Sequence, residues 1–80
     1  MDDIFEKVAK IIVYHLSGHM ADVKMDSSLV NDLGADDLDS IEIIMSLEEE
    51  YDIEISDEIS EGFKTVGDIV DYLRSIQGEE

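Results

Sequence analysis

The chain has 80 residues, of which 22 are Asp or Glu and five are Lys or Arg, a formal charge of −17. That balance argues strongly against nucleic-acid binding, which needs cations to neutralise phosphates, and against docking on anionic membranes. The absence of cysteine excludes disulfides, thiolate metal sites and a cysteine nucleophile, and no apolar run approaches the ~18 residues of a membrane span.

Ile4, Val8, Ile11, Ile12 and Leu16, with Phe5 beside them, recur at helical spacing and predict a first helix from Asp2 to about Ser17. Gly18 suits its end. Lys7 and Lys10 are expected on its solvated face. His15 and His19 stand four apart, a metal-ligand spacing only if both are helical. With Gly18 between them, ordinary surface histidines are expected and no metal site is predicted.

Met20 to Ala35 reads as a long connection whose apolar residues lie across the helices and close the core, with Leu29 as the anchor. Asn31, Asp32 and Gly34 set the turn into the next element. The acids here match no EF-hand register: counted from Asp32, the sixth residue is Asp37 where that loop requires glycine.

Leu38, Ile41, Ile44, Met45 and Leu47 then approach the template for one buried helix face. Asp36 is the predicted N-cap and Asp39 the acid of a capping box. Asp36, Asp37 and Asp39 lie at the positive end of the helix dipole, and Glu42, Glu48, Glu49 and Glu50 continue the acidity to Tyr51. A capped, solvated acidic helix accounts for all of these residues. Asp52-Ile53-Glu54-Ile55 alternates like a short strand, but no partner strand is in view. An extended connector with Ile53 and Ile55 turned inward is the expectation. Ser56 to Glu61 is a predicted short helix, capped by Ser56 and ended by Gly62, followed by Phe63 as a core plug. Thr65-Val66-Gly67-Asp68 is a capping box opening a last helix to about Gln77. Its apolar stripe is Val66, Ile69, Val70, Leu73 and Ile76, and Gly78-Glu79-Glu80 should fray. The fold class is therefore all-α. It is one domain over residues 1–80, a small four-helix bundle of three main helices and one short one with a long first loop.

Leu33-Gly34-Ala35-Asp36-Asp37-Leu38-Asp39, followed by Met45-Ser46-Leu47-Glu48-Glu49-Glu50-Tyr51, resembles the signature of the acyl carrier proteins. The resemblance extends over nearly the whole chain and includes Thr65 to Leu73. It implies a four-helix bundle that carries acyl groups as thioesters on 4′-phosphopantetheine, attached to a serine in an Asp-Ser-Leu triplet. This chain departs from the pattern at that serine: the triplet reads Asp36-Asp37-Leu38. Asp37 is three residues after Gly34 and eleven before Glu48, as the family serine would be. An ionised carboxylate has no hydroxyl to become a phosphodiester, so the cofactor is expected to be absent. Asp37 places one charge roughly where the modified serine would carry its phosphate. Ser40 is the alternative attachment residue, about one helical turn higher.

The resemblance assigns partner recognition to Asp36, Leu38, Asp39, Ile41, Glu42, Met45, Glu48 and Glu49. It makes Ile44, Leu47, Ile55, Phe63, Ile69 and Leu73 plausible lining for an acyl chain, although aliphatic composition suits a closed core equally. The expected partners are the basic surfaces of fatty-acid synthesis enzymes and of a phosphopantetheinyl transferase, met by a monomer. A cytoplasmic setting is expected, or an organelle had a targeting segment been removed. No nucleophile–base pair or oxyanion pocket is evident, so no catalytic residue is predicted. Two functions remain open: an acyl carrier of lipid synthesis disabled at its attachment position, and an unmodified structural or regulatory subunit of the same fold.

Overall fold

The computed structural model describes residues 3–16 and 23–77. Four helices follow in order: α1 (Asp3–Leu16), α2 (Asp37–Tyr51), α3 (Asp57–Glu61) and α4 (Val66–Gln77). Among the described residues there is no strand, only an isolated antiparallel bridge between Ser28 and Thr65. The α1 helix packs on both α2 and α4. The predicted end at Ser17 and Gly18, His19 of the histidine pair, and the tail at 78–80 lie outside the described residues.

The core is aliphatic and drawn from every main helix. Ile4, Val8, Ala9 and Ile12 come from α1, Ile43 and Leu47 from α2, and Val66, Ile69, Val70 and Leu73 from α4, with Val23, Leu29 and Ile55 closing the gaps. On α1 and α4 most of the buried residues follow the stripe read from the sequence, but Ile11 and Leu16 are only half-buried and Ile76 lies outside the core. Ile76, in the last turn of α4, is 42% exposed.

Of the face expected to be buried on α2, only Leu47 enters the core. Leu38, Ile41 and Met45 are exposed, at 63%, 55% and 55%, Ile44 is half-buried, and the core takes Ile43 and Leu47. At roughly 100° per residue, Ile41 and Ile43 project about 200° apart. The helix therefore carries two apolar stripes on nearly opposite sides, and only one can face α1 and α4.

The caps are as the sequence predicts. Asp39 donates its N–H to Asp36 Oδ1 at 2.8 Å, and Asp36 returns its own to Asp39 Oδ2 at 3.2 Å. Asp68 N–H reaches Thr65 Oγ1 at 3.2 Å while Asp68 Oδ2 accepts from Thr65 at 3.1 Å and Lys64 at 2.9 Å. Ser56 caps α3 and Gly62 closes it. The first loop turns on Asp32, whose carboxylate accepts the Ser28 N–H at 2.7 Å, and on Gly34, at φ 75°. It then lies against the start of α4: Leu29 N–H bonds Lys64 O, Val66 N–H bonds Ser27 O, both at 3.0 Å, and Gly67 N–H bonds Met25 O at 2.7 Å. Gly67 is required there, since a Cβ would sit 2.8 Å from the Met25 carbonyl oxygen.

Candidate functional site

The loop delivers the chain to α2 in a fixed way. Ala35 is buried and donates its N–H to Leu29 O at 2.9 Å, which seats the turn before the helix. Asp36 follows in an extended conformation as the N-cap, and Asp37 is the first helical residue, exposed to solvent. Its carboxylate is thus presented at a free helix N-terminus, where a negative group is favoured. Ser40 is half-buried beside a cleft one turn further along α2. Attachment there would require a modifying enzyme to reach past the exposed Asp37 into a less open position.

The cleft has a volume of about 250 Å³ and lies where α2, the 52–56 connector, α3 and α4 meet. Its apolar wall includes Ile41, Ile43, Ile44, Met45, Ile55, Phe63 and Ile69, and its polar lining is Ser40, Glu48, Asp57 and Ser60. Four of the six expected lining residues are there: Ile44, Ile55, Phe63 and Ile69. Leu47 and Leu73 are not. Both are fully buried in the core, Leu47 because it shares the inner stripe of α2 with Ile43. Phe63 packs against Tyr72 with ring centres 5.7 Å apart and planes tilted by 56°, so its ring is both wall and plug.

The outward stripe of α2 carries Leu38, Ile41, Glu42, Met45 and Glu49, spaced three or four apart along one side of the helix. All five are exposed. The other acids predicted for recognition have internal duties as well. Asp36 and Asp39 form the capping box, and Glu48 Oε2 accepts the Ile55 N–H at 2.7 Å.

Two expectations about α1 need correction. Lys7 is not simply solvated: its Nζ lies 3.0 Å from Glu50 Oε2 and 5.7 Å from the centre of the Tyr51 ring, tying α1 to the end of α2. His15 is not an ordinary surface histidine either. Its side chain is 16% exposed, with Nδ1 3.6 Å from Glu42 Oε1 and Nε2 2.8 Å from Ser46 Oγ. A serine–histidine contact was not foreseen, since the two residues lie on different helices and neither has a local signal. It lacks the parts of a hydrolytic centre. Ser46 sits mid-helix, where backbone N–H groups are committed to the helix, and Glu42 and Glu49 beside it would oppose a developing oxyanion. Among the described residues no group of three or more His, Asp or Glu is placed to hold a metal ion, and no helix is long and apolar enough to cross a membrane.

The carboxylate of Asp68 holds its proton less tightly than an ordinary aspartate. Backbone N–H donors at Lys64 and then Thr65 hold its pKa below the ordinary aspartate value, a structural effect at the start of α4.

The family model described as the phosphopantetheine attachment site matches residues 16–73. That interval contains the α2 N-terminus with Asp37, the outward stripe, the cleft and most of α4.

Proposed function

From a chain that belongs to the phosphopantetheine-attachment family of acyl carrier proteins, we infer an acyl-carrier module of fatty-acid or lipid synthesis in which Asp37 stands at the attachment position and holds the protein in its unmodified form. The observation that carries this is the placement of Asp37. It is the first residue of α2, exposed, directly after the Asp36 cap, the place a transferase would need a hydroxyl. A carboxylate offers none. The module's work is then docking: the acids of α2 meet a partner's Arg and Lys while Leu38, Ile41 and Met45 enter apolar dimples. The excess of 22 acids over five bases favours fast encounter with such basic surfaces. A cytoplasmic, non-enzymatic role alongside lipid-synthesis enzymes follows from this reading.

A second reading, a permanent structural or regulatory subunit, is favoured by the same Asp37, since a charge fixed in the chain cannot be added or removed. Intact mass after coexpression with a phosphopantetheinyl transferase separates carriage from both. The expected result is no gain for the chain itself and about 340 Da, one arm, for Asp37→Ser. Addition to the unaltered chain, at Ser40 or elsewhere, would overturn the unmodified reading. No addition to Asp37→Ser would favour the structural subunit.

A further inference from the structure

Glu48 is placed unlike the acids around it. Its backbone carbonyl accepts the N–H of Asp52, the left-handed residue that ends α2, and that of Ile53 at 3.0 Å. Its side chain reaches forward seven residues to the Ile55 N–H at 2.7 Å. One residue therefore holds three backbone N–H groups of the connector, those of Asp52, Ile53 and Ile55. Glu48 and Ile55 both line the cleft, so the bond sits in its wall. Beyond the buried Ile55 side chain and the partly buried Ile53, both against the core, little else holds that wall: none of residues 57–61 of α3 is buried, and Ile55 is the one buried side chain between Asp52 and Glu61. Among the described residues the Glu48 carboxylate meets no lysine or arginine. It is half-buried and remains open to a cation from outside.

We propose that Glu48 is the latch of the cleft: its carboxylate pins the connector as a wall, and a cation captured by that carboxylate frees the Ile55 N–H and opens the cleft. An anionic acceptor makes a stronger bond than a neutral one, and a guanidinium that takes both carboxylate oxygens competes for it directly. This deepens the carrier reading and rests on it only for the cation's owner, an arginine or lysine of a docked partner. Docking and cleft opening then draw on the same atoms.

Amide hydrogen exchange measured by NMR on the full chain tests this. Glu48→Ala should speed exchange at Ile55 about tenfold or more, the effect of losing a charged acceptor, with Leu29 and Val66 unchanged. Glu48→Gln, whose amide oxygen still accepts, should restore most of the protection. Saturating hexa-arginine should speed Ile55 in the unaltered chain and leave Glu48→Gln slow. Ile55 exchange equally slow in Glu48→Ala, or unmoved by hexa-arginine, would overturn the latch. Should Glu48→Ala unfold, the hexa-arginine comparison between the unaltered chain and Glu48→Gln decides. The carrier reading fails separately, by the mass of Asp37→Ser, and neither result presupposes the other.

Discussion

Gly67→Ala sets local propensity against tertiary contact in one substitution. Gly67 is the second residue of α4 and buried. Taken alone, α4 should gain up to about 1 kcal/mol from alanine in place of glycine. The structure predicts the opposite sign. A Cβ at Gly67 would stand 2.8 Å from Met25 O, a backbone atom that can yield only if the loop moves. Restoring ordinary contact needs several tenths of an ångström. Moving the loop also strains the 2.7 Å bond from Gly67 N–H to Met25 O and its neighbour from Val66 N–H to Ser27 O. Overpacking of this kind costs about 1–3 kcal/mol and a weakened hydrogen bond about 1 more. After the propensity gain, the net is a loss of about 1–3 kcal/mol. At about 4–8 °C per kcal/mol for a domain of this size, Tm should fall by roughly 4–24 °C. Urea unfolding followed by circular dichroism should show a lower midpoint with an unchanged slope. A midpoint equal to or above that of the unaltered chain would refute the close approach of loop and helix.

Thr65→Ala should cost about 1 kcal/mol, the usual loss for a capping hydroxyl, read as a lower urea midpoint. Asp68→Asn addresses the same box through pH. Because the folded pKa of Asp68 is lowered, its stabilisation is complete above the unfolded aspartate value of about 4 and is lost as pH falls through the lower folded value. The Tm gap between the unaltered chain and Asp68→Asn should therefore narrow as pH drops below about 4, and a gap that widens there would contradict the assignment. With a net charge of −17, self-repulsion should make Tm rise between roughly 10 mM and 0.5 M salt as screening shortens. A flat melting temperature would remove that argument. Charge reversal at Glu42 and Glu49, the exposed acids of the outward stripe, should slow association with a phosphopantetheinyl transferase about tenfold at low salt and flatten its salt dependence. An unchanged rate in stopped flow would place docking elsewhere.

The two boxed helix starts, Asp36 with Asp39 and Thr65 with Asp68, were legible because capping is local: donor and acceptor lie three residues apart and the sequence shows both. The stripes of α1 and α4 were legible because each has a single apolar side. The α2 helix has two, and its periodicity cannot say which one meets α1. That choice depends on Ile43 and Leu47 filling space left by other helices, which no window of α2 contains. The same limit hid the Lys7–Glu50 and His15–Ser46 contacts, made between residues far apart in sequence, and the second use of Glu48, which requires the connector to fold back on its own helix. That Asp37 opens α2 was plain from Gly34 and the capping pair of Asp36 with Asp39. The mouth of the cleft was only half so, since Leu47 and Leu73 are indistinguishable by type from the residues that line it.

The bridge joining Ser28 to Thr65 bears on the order in which the molecule assembles. Closing a loop of roughly 37 residues carries an entropic cost of about 3 kcal/mol, more than the roughly 2 kcal/mol that two backbone bonds return. The bridge cannot seed folding. It must wait until α1 has brought α2 and α4 together, and a lesion in it should leave the refolding rate nearly untouched while the native molecule comes apart sooner.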